Sequence, residues 1–169
     1  MNRENEDHCW ESWLTEYGPR LVLFARQYVP SLPDAEDAVQ EAFIRFWKSG
    51  MYRARHPLIS LYSYTRRAAV DLYRSGSRRR QREKRSAEIR NARGPLFEKE
   101  NEQYADIEES LMDLPEEQRE VIVLRIWGGF TFRDIGRILN IPLNTAASRY
   151  RYGIGTMQDR LMKAEAYGS

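Results

Sequence analysis

Arginines interleaved with tyrosines between Tyr52 and Arg74 are the first residues whose chemistry stands out: Tyr52, Arg53, Arg55, Tyr62, Tyr64, Arg66, Arg67, Tyr73 and Arg74. Unpaired bases stack on aromatic rings while guanidinium groups follow a phosphate backbone, so this set suits single-stranded nucleic acid. A tyrosine stripe at helical spacing serves equally as core with its hydroxyls at the surface. The second group lies between Thr131 and Tyr152, where the spacing predicts two short helices meeting steeply in a helix-turn-helix. Gly136 is small at the crossing, Asn140 tolerates the left-handed turn, and Ala146 is the compact apolar residue facing back. A plain helical hairpin is the alternative. The outward face of the second helix would offer Asn144, Thr145, Ser148, Arg149 and Tyr152 to a major groove, with Arg133 and Arg151 near phosphates. The third group is acidic: Glu108, Glu109, Asp113, Glu116 and Glu117. No histidine, lysine or cysteine joins it and no glycine-rich phosphate loop exists, so carboxylates favoured at helix starts explain it better than acid-base catalysis or a metal site. No enzyme, cofactor or metal is expected.

The elements that must position these groups are helical throughout. Trp13, Tyr17, Leu21, Phe24 and Tyr28 recur every three or four residues and predict a first helix over about 10–28, with Gly18-Pro19 expected to bend or break it. Pro30-Ser31-Leu32-Pro33 and the acidic residues after it start a second helix, with Ala35, Ala38, Val39, Ala42, Phe43, Phe46 and Trp47 on its buried face. Its other face carries Asp37, Gln40, Glu41, Arg45 and Lys48. Residues 49–57 read as a loop, and Leu58, Leu61, Tyr62, Thr65, Ala69 and Leu72 line one side of a third helix. Farther on, Ile107, Leu111 and Leu114 suggest a short amphipathic helix. Leu114-Pro115-Glu116-Glu117 starts the next, and its flanks make Val121-Ile122-Val123-Leu124 helical rather than a buried strand. Thr131 is placed to cap the following helix. Leu143, Ala146, Tyr150, Ile154, Met157 and Leu161 mark the last one, with fraying or a bend expected at Gly153 and Gly155.

Between the two apolar stretches, the charge is strongly segregated although the whole chain of 169 residues carries a formal net charge of only +2. Residues 74–93 sum to +7, residues 98–120 to −8 and residues 121–169 to +4. A basic block is the footprint of a polyanion partner, and a solvated linker has the same composition. These features predict an all-α fold of two small helical domains, residues 1–75 and 107–169, joined by a charged linker over 76–106, the second domain containing the helix-turn-helix. One cysteine, Cys9, permits no internal disulfide. The polar, acidic beginning and the lack of a long apolar run predict a cytoplasmic protein without membrane insertion.

The run Asp34-Ala35-Glu36-Asp37-Ala38-Val39-Gln40-Glu41-Ala42-Phe43-Ile44-Arg45-Phe46-Trp47 closely resembles the second conserved region of extracytoplasmic-function sigma factors. Leu114-Pro115-Glu116-Glu117-Gln118-Arg119-Glu120-Val121, with the helix-turn-helix after it, is similar to their fourth region. The resemblance implies a factor that binds core RNA polymerase, recognises promoter DNA and promotes transcription initiation. It assigns Asp37, Gln40, Glu41 and Arg45 to the polymerase clamp helices. Tyr52, Arg53, Arg55, Tyr64, Arg66, Arg67 and Arg74 fall to the melting minus-ten element. The minus-thirty-five duplex falls to the second domain, read chiefly through Thr145, Ser148 and Arg149. An anti-sigma factor or other inhibitory partner is implied too. Ser60, Arg67, Ala147 and Pro142-Leu143-Asn144 depart from the family's usual residues, so the promoter sequence is not carried over. The rival reading is a helix-turn-helix regulator that binds duplex DNA without polymerase, its first domain serving dimerisation or sensing. That reading leaves the acidic polar face of the second helix unexplained.

Overall fold

The computed structural model describes residues 3–83, 107 and 109–167, and the side chains of residues 10–76, 107 and 109–163. Among the described residues there are helices and turns but no strand. The chain divides into two compact units, Met1–Arg90 and Asn91–Ser169.

The first unit is built on helices α1 (Arg3–Ala25), α2 (Leu32–Lys48) and α3 (Pro57–Glu83). Pro19 lies inside α1 without ending it. Its missing N–H leaves the carbonyl of Thr15 without that helical donor, and both residues are exposed, so the loss falls on the solvent side of the helix. Expected breakage at Gly18-Pro19 therefore does not occur, and α1 ends at Ala25, three residues short of Tyr28. Ser31 caps α2: its Oγ accepts from the Asp34 N–H at 3.2 Å and donates to the Asp34 carboxylate at 2.6 Å, with proline in the first turn. Leu21, Phe24, Phe43, Phe46 and Leu61 are fully buried. Trp10 and Trp13 extend that core through edge and tilted contacts with Phe43, Trp47 and Phe46. Gly50, at φ +71°, turns the chain out of α2 into a 3-10 turn over Met51–Arg53. Helix α3 then continues to Glu83, past the boundary expected at 75, because its arginine-rich end keeps helical backbone without needing a core. The remainder of the expected linker, 84–106, lies outside the described residues, as does Glu108.

The second unit opens on helical residues 109–112, with Leu111 and Leu114 buried, and continues through α4 (Glu116–Ile126), α5 (Phe132–Leu139) and α6 (Leu143–Tyr167). Arg119 through Leu124 are all buried, so α4 is the centre of this unit; a helix buried on every side explains the unbroken apolar run. Buried Arg119 donates to the Met112 carbonyl at 3.0 Å and ties the preceding turn to α4. Helix α6 runs unbroken through Gly153 and Gly155, so the fraying expected there does not occur. Gly153 is buried against α4: a Cβ there would sit 2.7 Å from Ile122 Cδ1 and 3.2 Å from Gln118 Cβ, so its small size admits the neighbouring helix. Ala146, Gly153 and Met157 form the buried line of α6, whereas Leu143 at its start is exposed.

Candidate nucleic-acid interface

Helices α5 and α6 form the expected helix-turn-helix, and its local chemistry is visible residue by residue. Thr131 caps α5, accepting from the Asp134 N–H at 3.2 Å while donating to the Asp134 carboxylate at 2.5 Å. Asn140 closes α5 in the left-handed conformation, φ 57° and ψ 49°. A Cβ on Gly136 would meet the Ile141 carbonyl oxygen at 2.7 Å, so only glycine lets the turn fold over α5. Ala146 is fully buried where α6 returns against the unit.

On α6, Asn144, Arg151 and Tyr152 are exposed, Tyr152 by 66%, while Thr145 and Ser148 are half-buried. Ser148 donates its hydroxyl to the Asn144 carbonyl at 2.7 Å, which leaves the oxygen's lone pairs available as acceptors. Arg133 is exposed on α5 and lines an open groove of about 450 Å³ with Arg137, Asn140 and Leu143. Arg149 departs from the outward face predicted for it. Its side chain is only 24% exposed and pairs with Glu117 at 2.9 Å and Glu120 at 3.8 Å, both on α4. Glu120 is buried, and Arg149 brings one positive charge near it while making its closer contact with the exposed Glu117.

In the first unit the predicted basic and aromatic residues separate into two sets. Arg53, Arg55, Arg67, Tyr73 and Arg74 are exposed. Tyr52, expected to stack on bases, instead stacks on Trp47, with centroids 4.5 Å apart and an interplanar angle of 12°. The Arg53 guanidinium lies 4.9 Å from the same ring. Intramolecular partners therefore occupy Tyr52, because the short 3-10 turn folds it onto the end of α2. Arg66 lies 5.5 Å over the Tyr28 ring, Tyr64 meets Phe46 edge-on at 6.4 Å, and Tyr62 is buried core. Burial pushes the Tyr62 hydroxyl up to about 12. On α2, Asp37 and Gln40 are exposed and Glu41 is half-buried. Arg45 bonds Glu41 at 2.6 Å and reaches Asp71 of α3 at 3.9 Å. Ile44, 42% exposed on this polar face, is a residue that the charge pattern alone did not single out. Among the described residues, no group of histidine, cysteine or carboxylate side chains could hold a metal ion, and no helix is long and apolar enough to cross a membrane.

Comparison with known proteins places the two units in one family. Residues 13–79 match the family model described as Sigma-70 region 2, and residues 104–153 match that described as Sigma-70, region 4. An ECF RNA polymerase sigma factor SigK from Mycobacterium sp. (strain KMS) is 31% identical over 137 residues, covering 75% of this chain and 69% of that protein. The chain belongs to the ECF sigma-factor family. A second member, the ECF RNA polymerase sigma factor SigE of Mycolicibacterium smegmatis, is 28% identical over 162 residues, and the alignment spans 62% of its length. The fold is shared with the sigma factor RpoE of Bartonella quintana, solved in complex with the anti-sigma factor NepR. That match has a TM-score of 0.72 at 23% identity and covers 90% of this chain and 96% of that one. It is shared also with CnrH, solved with the cytosolic domain of CnrY, at a TM-score of 0.63 and 20% identity.

Proposed function

We propose that this ECF sigma factor acts in the cytoplasm as a non-catalytic initiation factor, binding core RNA polymerase, recognising promoter DNA and promoting transcription initiation. The observation that carries the reading is the pairing of a formed helix-turn-helix in one unit with an α2 polar face and exposed arginines in the other. Helix α6 would enter the minus-thirty-five major groove with Asn144, Thr145, Ser148 and Tyr152 toward base edges, and Arg133 and Arg151 toward phosphates. Arg53, Arg55, Arg67 and Arg74 would follow the backbone of the melted minus-ten strand, with Arg66 and Tyr64 at the margin of that surface. Tyr52 would support the loop carrying Arg53 and Arg55. The α2 face, Asp37, Gln40, Glu41 and Arg45, would dock on the polymerase, and an anti-sigma factor would compete for these surfaces. Domain limits of 1–75 and 107–169 fit these roles, with α3 carrying helix into the connection. Transcripts sequenced from genomic DNA and core polymerase, with and without the protein, test the reading. New start sites sharing an upstream and a downstream element support it. Duplex binding with no change in transcript starts favours a regulator that works without polymerase.

A further inference from the structure

The pairing of Arg149 with α4 deepens that reading and rests on it. We infer that Glu117 and Glu120 are positioning residues for the DNA-reading helix, acting through Arg149, and that Arg149 is a strut between α4 and α6 rather than a reader of bases.

Three observations converge. The guanidinium presents one nitrogen to Glu117 at 2.9 Å and another to Glu120 at 3.8 Å, so its planar fork spans two carboxylates on successive turns of α4. Glu120 is buried, and an arginine that swung out to a base would take one positive charge away from a carboxylate already removed from water. Gly153 follows Arg149 by about one helical turn and packs against α4, where a Cβ would meet Ile122 and Gln118. With 3.6 residues per turn, Arg149 lies about 140° and Gly153 about 180° around α6 from Asn144. Ser148 and Tyr152 fall within about 80° of Asn144. Arg149 and Gly153 thus form one seam on the inner side of α6: the glycine sets how near α4 comes, and the ion pairs set how α6 is rotated about its own axis. Rotation decides which side chains meet the base edges. A residue that fixes it governs every position of the recognised site at once, whereas a base reader governs only the pair it touches.

The experiment selects preferred sequences from a randomised duplex pool with the full chain at one stated salt concentration, comparing the unmutated protein with Arg149→Met, Glu117→Gln with Glu120→Gln, and all three changes together. The strut predicts that each of the first two variants flattens the preferences across the whole selected site, cutting enrichment by roughly tenfold, and that the triple variant adds no more than about twofold. Overall charge near DNA alters affinity for all sequences alike, so the readout is preference rather than affinity. Circular dichroism checks that the variants are folded. If Arg149→Met is not, Arg149→Lys keeps a cation beside Glu120, and its loss should still be spread over the site. Loss of preference at a single base pair, or an Arg149 effect undiminished when both carboxylates are neutral, overturns the strut. Asn144→Ala is run beside these. If it alters selection while the strut variants do not, only the strut falls; if the unmutated chain selects no sequence, duplex reading falls and the strut with it.

Discussion

Adding a single carbon at three glycines of the second unit meets three different surroundings. At Gly136 the new Cβ would press on the Ile141 carbonyl oxygen at 2.7 Å, backbone that cannot step aside without opening the turn. Gly136→Ala should therefore cost about 1–3 kcal/mol. At Gly153 the nearest atom is Ile122 Cδ1, the mobile end of a side chain, so alanine there should cost less. At Gly155 nothing lies within 4 Å, and alanine should stabilise the helix by about 1 kcal/mol. Thermal melts of the three variants should rank 155 above the parent and 136 lowest; any other order contradicts the packing of α4, α5 and α6. A second expectation concerns Tyr62, whose hydroxyl is raised by burial from 10.0 to about 12. A raised acid is neutral in the fold over a range where the unfolded chain has already ionised. The contribution is thus whole below about pH 10 and lost as pH climbs toward 12. Denaturant unfolding should lose stability over that window in the parent more steeply than in Tyr62→Phe. Gly136, Asn140, Ala146 and Thr131 were legible in the sequence because each answers a demand made by its immediate neighbours. Arg149, Tyr52 and Gly153 were not, since Glu120, Trp47 and Ile122 lie on other elements and spacing along one helix says nothing about what folds over it.

Helices were legible by period, and their ends were legible where a side chain marks them. Ser31 and Thr131 start α2 and α5, and Asn140 ends α5. Where no such mark exists the helix ends are harder to read: α1 passes Pro19, which lies on its exposed side, and α3 passes residue 75 because arginines sustain helix as well as they fill a linker. The α2 face yields a prediction at this scale. Asp37 is exposed and has no described ion pair, whereas Glu41 holds Arg45 at 2.6 Å. Asp37→Lys should therefore weaken binding to core polymerase with unchanged helicity, while Glu41→Lys also sets like charges against Arg45 and should cost a few tenths of a kcal/mol in stability. Fluorescence titration with core polymerase, beside circular dichroism, checks both. Unchanged affinity in a folded Asp37→Lys protein would remove α2 from the docking surface.

At the scale of the whole chain, the sequence carries its two-part organisation in composition, since two apolar stretches flank a segment of opposed charge blocks that offers little to a core. What the parts do separately follows from the state of DNA each needs: a helix entering a major groove requires duplex, while arginines tracking a separated strand require melted DNA. Arg151 and Tyr152, the exposed side chains of α6, should matter on duplex bearing the upstream element, where replacing Arg151 by alanine lowers the salt slope by about one ion and weakens binding similarly across sequences. Replacing Tyr152, if it meets a base, should cost about 1–3 kcal/mol there. On a pre-melted template lacking that element, neither change should matter. Arg55→Ala with Arg67→Ala should reverse the pattern, slowing opening of an intact promoter and weakening hold on the pre-melted one, with upstream duplex binding unaffected. Open-complex assays on matched intact and pre-melted promoters, at a single ionic strength, read both halves of this expectation. Equal damage by both sets of variants on both templates would mean that the two units do not divide the promoter between them, and that α6 acts on the same stretch of DNA as Arg55 and Arg67.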